Sequence, residues 1–318
     1  MKAQDIHFSQ FFNAPLTVSP SNTGNFDGDW RFTSNYRSQW KRIDTPFLTQ
    51  SFGFEKQIHL YNERLSGGLL IINDKSAGTL NVMKAMISGA YHKRISIHNF
   101  HAGIQAGYIT KRISPLEETF PNQFNWNSGQ FDPSLPNNEI QLQDKLSYFD
   151  LNIGAGYHIK LKKFVPHVNL ALFHFNKPKE SFFDNGNKLK SRKVINGGVT
   201  YEINEIYAID PGFLLMTTLN ANSFLLGSNI IYKLESTAVS VTSIYAGLFY
   251  RDGIKRNMDA YFITAGLNYK NYSVGVSYDR NVSSLHTATD YRGAFEISFI
   301  YKAINTRLKK VEIPCDRY

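Results

Sequence analysis

The chain has 318 residues and a formal net charge of +9, and 42% of its residues are hydrophobic and 14% aromatic. The mean hydropathy is −0.31, and apolar runs such as residues 69–72 are far shorter than the roughly 20 residues that a membrane helix needs, so a helical membrane protein is excluded. Lys and Arg are scattered, without a basic patch or an RNA-binding signature, so the positive charge does not indicate nucleic-acid binding.

The first residues lack the apolar stretch of a complete signal peptide. Lys2 and Ala3 followed by Gln4 are typical of the end of such a peptide, so we expect a nearly mature chain from which the signal peptide has been removed. Residues 1–27 precede the first strand pattern, and we expect them to form an N-terminal periplasmic segment.

Between Trp30 and Trp40, apolar and polar side chains alternate, which is typical of a strand whose faces meet different surroundings. Arg31, Asn35 and Arg37 share the polar face. Ten residues of strand extend about 33 Å, and a tilt of about 40° projects this to about 25 Å, the height of the apolar band on an outer-membrane barrel. We therefore expect the tryptophans at the membrane interfaces and the three polar residues in the lumen.

The same alternation recurs as far as residue 302, and it places Asn152 and Asp279 on lumen faces as well. Tyr261, Tyr269, Tyr272 and Tyr278 fall on lipid faces. The pattern predicts about fourteen strands. They lie near residues 28–40, 47–60, 66–74, 81–93, 96–111, 146–160, 164–175, 191–204, 206–218, 222–234, 237–251, 257–269, 271–281 and 291–302.

The connections between these strands alternate between tight turns and longer segments, of which 112–145, 176–190 and 282–290 are the longest. Bacterial barrels have short periplasmic turns and long outside loops, so both termini are expected in the periplasm. The prediction is an all-β, transmembrane antiparallel outer-membrane β-barrel over 28–302, in contact with lipid and lipopolysaccharide, with a C-terminal periplasmic tail over 303–318.

The longest loop combines four prolines with Phe124, Trp126 and Phe131. A disordered loop would carry fewer aromatic residues. We expect an ordered cap or a partner-contact surface, with a structured plug as the alternative. Phe182 and Phe183, in the loop 176–190, are further candidates for partner binding.

No residue pattern indicates catalysis or metal binding. His98 and His101 are three positions apart, so they point to opposite faces of a strand. Ser283, His286 and Asp290 share one loop, but no nucleophile motif accompanies them. We expect no enzymatic activity, no metal and no cofactor.

A series of short motifs runs along almost the whole chain. In chain order these are Gln4–Phe12, Ala14–Leu16, Ser19-Pro20 with Gly24, Asn35–Trp40, Pro46-Phe47, Gly67-Gly68 with Asn73–Lys75, Gln105–Tyr108, Phe131–Pro133, Ser147–Asp150, Asn176–Pro178 with Ser181–Phe183, Tyr269–Gly275, Ser277–Asp279 and Pro314–Tyr318. The ordered series resembles the PorP/SprF family of type IX secretion membrane proteins. Ile313 and Asp316 stand where the family's tail usually has Arg and Pro.

The resemblance implies an outer-membrane component of type IX secretion and gliding motility in Bacteroidota. We favour an SprF-like role, in which the outside loops bind the C-terminal domain of an exported cell-surface adhesin and support its secretion or attachment. The resemblance also implies a tail that contacts type IX secretion periplasmic components, through Cys315, Arg317 and Tyr318. A PorP-like link to the periplasmic ring and motor parts, or a barrel that transports solutes, are the alternatives.

Overall fold

The computed structural model forms a closed antiparallel barrel of fourteen strands. It describes residues 6–40, 45–60, 63–76, 79–113, 121–132, 134–136, 145–182, 186–219, 221–234, 241–254, 258–284 and 286–303. The barrel strands are β1 (Trp30–Gln39), β2 (Phe47–Leu60), β3 (Glu63–Ser76), β4 (Leu80–Ile95), β5 (His98–Ile113), β8 (Lys145–Ile159), β9 (Phe164–Phe173), β10 (Arg192–Glu202), β11 (Tyr207–Thr218), β12 (Ala221–Lys233), β13 (Val241–Asp252), β14 (Met258–Tyr269), β15 (Tyr272–Asn281) and β16 (Arg292–Lys302), while β6 (Phe124–Asn125) and β7 (Gln130–Phe131) form a separate hairpin.

Each barrel strand pairs with its neighbours in sequence, and β1 closes the barrel against β16, with Arg31 opposite Lys302. The predicted all-β barrel of about fourteen strands is confirmed. We call the end that carries Trp30 and Lys302 the short-turn end, because tight connections such as 96–97 and 270–271 lie there. The opposite end, which carries the segment between β5 and β8 and the loops 174–191 and 282–291, is the loop end.

The outer surface is apolar and is bounded by aromatic side chains. On β5, Phe100, Ile104 and Tyr108 point outward and are 48%, 67% and 57% exposed. At the short-turn end, aromatic rings of neighbouring strands lie in contact around the barrel, with centroids 4.9 Å apart for Trp30 and Tyr301. Further pairs of this kind are Tyr272 with Tyr301, Phe164 with Tyr201, Tyr207 with Tyr232 and Phe100 with Tyr157. An apolar band flanked by aromatic girdles is the exterior of a membrane-spanning barrel.

The tyrosines assigned to the lipid face do lie on the outer surface. Tyr261, Tyr269, Tyr272 and Tyr278 are 40–45% exposed. Among the described residues, no helix has both the length and the apolar character needed to cross a membrane.

Residues 6–28 lie inside the barrel, and we call them the plug. The segment contains short helical turns at Phe11–Asn13, Pro15–Val18 and Pro20–Asn22, and the last of these contacts β4, β5, β8 and β9. Phe8 and Leu16 are each only 2% exposed. We expected a periplasmic segment over 1–27, whereas its described part fills the lumen.

Two glycines in the wall make room for the plug. A Cβ atom on Gly103 would lie 2.3 Å from the carbonyl oxygen of Pro20, and one on Gly154 would lie 2.5 Å from Ser19 Oγ. The plug backbone therefore packs directly on the backbone of β5 and β8, where any side chain would force the two apart.

Candidate functional site: a plugged lumen and an exposed aromatic loop

A buried carboxylate on β16 anchors the start of the plug. The two carboxylate oxygens of Glu296 accept the backbone N–H groups of Ser9, at 2.7 Å, and Gln10, at 2.9 Å. Arg37 on β1 forms a salt bridge with the same carboxylate. Because Glu296 is 1% exposed and Arg37 2% exposed, this pair is held away from water and its hydrogen bonds are costly to lose.

The hydroxyl group of Ser9 joins this anchor to a second set of charges. Ser9 Oγ donates to Asp279 at 2.8 Å and accepts from Arg37 at 2.8 Å and from Arg251 at 3.0 Å. Arg251 also pairs with Asp279 at 3.0 Å. The predicted lumen residues Arg37 and Asp279 thus meet, 3.4 Å apart, at the same plug residue.

A second carboxylate holds the other end of the plug in the same way. Glu55 on β2 is fully buried, accepts the backbone N–H of Gly24 at 2.9 Å and binds Arg31 through two hydrogen bonds of 2.7 Å and 2.9 Å. The guanidinium group of Arg31 stacks over the ring of Phe26, 4.5 Å from its centroid. Arg31 therefore belongs to a site separate from that of Arg37, although both lie on β1.

The remaining predicted lumen residues are also buried against the interior. Asn35 donates to the carbonyl of Asn13 at 3.3 Å. Asn152 donates to Gln105 at 2.9 Å and accepts the backbone N–H of His174 at 2.9 Å. Asn152 thus connects the lumen wall to the beginning of the loop 174–191.

Between the two anchors, apolar side chains fix the middle of the plug. Phe11 and Val18 pack in one cluster with residues of β9 to β14, and Leu16 packs in another with residues of β3, β4, β5 and β8. Phe11, Phe12 and Phe249 are in mutual ring contact, with centroids 5.6–6.3 Å apart. The middle of the plug therefore fills this part of the lumen by complementary packing.

At the loop end, the hairpin β6–β7 presents the predicted aromatic residues together. The ring of Phe124 lies 4.9 Å from that of Trp126 and 5.2 Å from that of Phe131. The turn between the strands is closed by the hydrogen bond from Gly129 N to the carbonyl of Asn125, at 2.8 Å, with Gly129 at a positive φ. Trp126 is 87% exposed and Phe131 48% exposed, so Trp126 is not buried against the barrel mouth.

The neighbouring loop 174–191 is folded back on the barrel. His174 contacts the carboxylate of Asp150 at 2.9 Å, and Lys111 on β5 forms a salt bridge with Glu180. Phe182 is half-buried in this loop, while Phe183 lies outside the described residues. Among the described residues, no ring contact joins Phe182 to the hairpin, so the structure does not bring these two candidates together.

The predicted tail residues Cys315, Arg317 and Tyr318 lie outside the described residues. If the tail folded back into the barrel, Asp150 and Glu296 would be lumen carboxylates with which Arg317 could pair. Both are buried and already bound, by His174 and by Arg37 with the plug backbone respectively. The tail contact stays a prediction, with a different partner required for Arg317.

Ser283 and His286, two of the loop residues considered for catalysis, are in contact through the backbone of Ser283. The ring of His286 contacts the backbone carbonyl of Ser283 at 2.8 Å. Within the described ranges, no group of three His, Cys, Asp or Glu side chains is placed to hold a metal ion.

The plug is the functional element that the sequence reasoning missed. Its residues follow no period of two or 3.6, so neither pattern marked it as structured. The available signal was the apolar content of Phe8, Phe11, Leu16 and Val18 in the segment that we expected to lie in the periplasm.

Comparisons with known proteins agree with this architecture. Residues 1–301 match the family model described as "Type IX secretion system membrane protein PorP/SprF". Among solved structures, the chain is similar to the CymD monoaromatic hydrocarbon channel, with 9% identity, a TM-score of 0.54 and coverage of 93% of this chain and 94% of that one. It is also similar to the Ralstonia pickettii toluene transporter TbuX, with 9% identity, a TM-score of 0.53 and coverage of 92% and 94%. No curated protein sequence matches.

Proposed function

Since the chain belongs to the PorP/SprF family of type IX secretion system membrane proteins, we propose that it is an accessory barrel that binds an exported cell-surface adhesin. Its loops at the loop end hold the C-terminal domain of the adhesin and support its secretion or attachment. In this proposal the loop end faces outward, because long loops of bacterial barrels lie outside.

The observation that carries the proposal is a filled lumen combined with an exposed aromatic hairpin. Tryptophan and other aromatic side chains are enriched among the residues that contribute most to protein interfaces. Trp126 is 87% exposed on a hairpin that is itself hydrogen-bonded, so it can enter a partner's pocket with little loss of conformational entropy. The anchored plug speaks against an open pore.

The test replaces the two exposed aromatic residues of the hairpin. Loss of one central aromatic anchor costs about 2 kcal/mol or more, which is roughly 30-fold in affinity. We expect the double variant Trp126→Ser and Phe131→Ser to remain a heat-resistant barrel in the outer membrane while surface-exposed adhesin falls strongly. The matched control changes the polar neighbours Asn127→Ser and Gln130→Ser and keeps normal display. Normal display by the aromatic variant would refute binding at this hairpin.

Transport is a second candidate, favoured by the likeness of the fold to hydrocarbon channels. Channel activity requires the plug to move. Single-channel recording in planar bilayers, with toluene uptake by cells as a companion assay, tests it. Conductance and uptake that are lost when the plug is cross-linked to the wall would support transport, and the absence of both from the native chain would refute it.

A PorP-like link to periplasmic secretion components is the remaining alternative. It would use the short-turn end and the tail after Lys302. Photo-cross-linking from the exposed short-turn residues Ser96 and Ile97 in living cells would distinguish it. Capture of periplasmic ring proteins supports the link, and capture of none refutes it.

A further inference from the structure

The plug leaves one large space in the lumen, a cavity of about 860 Å³ that reaches the short-turn end. One side is formed by plug residues, of which Phe11, Phe12, Pro15, Val18 and Phe26 are apolar and Asn22, Asn25 and Asp27 are polar. The volume lies within the range of roughly 300–1,000 Å³ that is typical of small-molecule sites. We call this cavity the vestibule.

One wall of the vestibule is a row of residues across seven strands, of which six carry polar side chains and the seventh is Gly156. Cross-strand register aligns the row, in which each residue lies beside the next: His59, Arg64, His92, His101, Gly156, Asn169 and Asn196. His158 and His167 form a second layer nearer the mouth. The rings of His92 and His101 are 5.7 Å apart, and those of His101 and His158 are 5.5 Å apart.

Gly156 keeps this row intact. A Cβ atom there would lie 2.2 Å from His101 Nε2 and 2.1 Å from Asn169 Oδ1. Those two atoms are hydrogen-bonded at 3.1 Å. Because Gly156 has no side chain, His101 of β5 and Asn169 of β9 can form this hydrogen bond across the lumen side of β8, which lies between them.

The vestibule carries more positive than negative groups. Its lining includes Arg64, Lys93, Arg94 and Lys160, against the carboxylates of Asp27 and Glu63, and Glu63 is bound by Lys93. Arg64 is half-buried, and within the described residues it has no hydrogen bond or salt bridge; the exposed Asp27 is the carboxylate that acts on it electrostatically.

Two histidines of the row also have unsatisfied ring atoms. His92 is 6% exposed and His101 4% exposed, and the Nδ1 atom of each is buried without a hydrogen-bond partner in the described structure. Buried polar atoms normally have a hydrogen-bond partner, so these two ring atoms are exceptions. The half-buried guanidinium group of Arg64, one position away in the row, selects a negatively charged ligand because its planar fork matches a carboxylate or phosphate.

We propose that the vestibule is a binding site for an organic anion, in which a carboxylate or phosphate group meets Arg64 and the histidine row. The apolar part of the ligand packs under Phe11, Phe12 and Val18 of the plug. This site lies at the opposite end of the barrel from the hairpin that is proposed to bind the adhesin, so the two proposals fail independently.

The test uses the purified full chain in detergent micelles and measures binding of phenyl phosphate, benzoate and inorganic phosphate by titration calorimetry. We expect saturable binding of at least one aromatic anion, tighter than that of inorganic phosphate. Stronger binding of phenyl phosphate assigns the site to phosphates, and stronger binding of benzoate assigns it to carboxylates. No saturable binding of either aromatic anion, or equal binding of inorganic phosphate, overturns the proposal.

Variants then place the ligand in the vestibule. A hydrogen bond to a charged group corresponds to roughly 10- to 100-fold in affinity, so Arg64→Gln should weaken binding by about that factor. His158→Asp, which adds a carboxylate to the second layer, should weaken it as well. Lys56→Gln is the control, since Lys56 is exposed on the outer face of β2, and it should bind as the native chain does. Native affinity in both vestibule variants, with heat-resistant barrels on gels, would refute the site.

Discussion

Neutralising Glu296 should release the start of the plug without unfolding the barrel. Glu296→Gln keeps the size of the side chain but replaces one acceptor oxygen by an N–H₂ donor. The carboxylate of Glu296 accepts from Ser9 N, Gln10 N and Arg37, so in the variant at least one donor faces another donor. Of its two carboxylate partners Arg37 then retains only Asp279, at 3.4 Å, beside its hydrogen bonds to Ser9 and Gln39. The Asp279 carboxylate is already shared with Arg251 and Ser9.

The magnitude follows from the burial of the pair. Removing one partner of a buried ion pair costs about 3–5 kcal/mol, and each 1.4 kcal/mol corresponds to a factor of ten. If the plug opens locally while the barrel remains closed, the amides of Ser9 and Gln10 should exchange roughly 150- to 4,000-fold faster.

Hydrogen–deuterium exchange with mass spectrometry, on the full chain in micelles, measures the exchange of these amides. Conductance in planar bilayers reports whether release of the plug opens the lumen to ions. The control is Glu202→Gln, which removes an exposed pair with Lys233 of 2.7 Å and should leave plug exchange unchanged, because exposed pairs contribute little. Native exchange at Ser9 and Gln10 in Glu296→Gln would refute the assignment of Glu296 as an anchor.

Three further outcomes are expected. The Cβ atom of Gly103→Val would lie 2.3 Å from the carbonyl oxygen of Pro20, so this variant should accelerate amide exchange around Pro20 in a folded barrel. The control Gly89→Val, whose Cβ would have only one atom within 4 Å, at 3.9 Å, should not. Equal exchange in both variants would contradict close packing of the plug. Ile104→Arg places a charge midway between Phe100 and Tyr108 on the outer face and should lower the free energy of unfolding in lipid vesicles by about 2–4 kcal/mol. Ile104→Leu is the control. An unchanged urea midpoint in Ile104→Arg would show that Ile104 does not face the membrane interior. Truncation after Lys302 should leave barrel insertion normal but stop secretion of the adhesin, measured in culture fractions, and normal secretion would remove any role for the tail.

The strands could be predicted because a membrane barrel imposes one rule on every residue of a strand. Lipid lies on one side and a polar lumen on the other, so the period of two persists across ten or more residues. The prediction 47–60 coincides with β2 (Phe47–Leu60), and 96–111 lies two residues from β5 (His98–Ile113). Even Arg31 and Arg37 were assigned to the correct face of β1 by alternation alone, since a one-residue slip would have exposed both to lipid.

The plug could not be predicted by the same rule, because its contacts are long-range and irregular. Ser9 meets Asp279 and Glu296, which are 270 and 287 positions away, and no local pattern records such a meeting. The hairpin was predicted in part: its aromatic content indicated order, but periodicity does not report whether Trp126 faces the barrel mouth or solvent. Geometry alone shows its exposure.

The size of the barrel explains why a plug is needed at all. About eight strands enclose a space that their own side chains can fill, whereas 16 to 18 strands leave an aqueous channel, so a fourteen-stranded barrel encloses more space than its wall can occupy. The inner face of the wall is complementary to the plug. Glu296 and Glu55 accept hydrogen bonds from backbone N–H groups of the plug, and apolar wall residues pack against Phe11 and Leu16. A lumen wall that faced water would not need buried carboxylates. Glu296 and Glu55 are buried, and both accept hydrogen bonds from the backbone of the plug. The lining is therefore matched to the plug, and the vestibule is a part of the lumen that the plug does not fill.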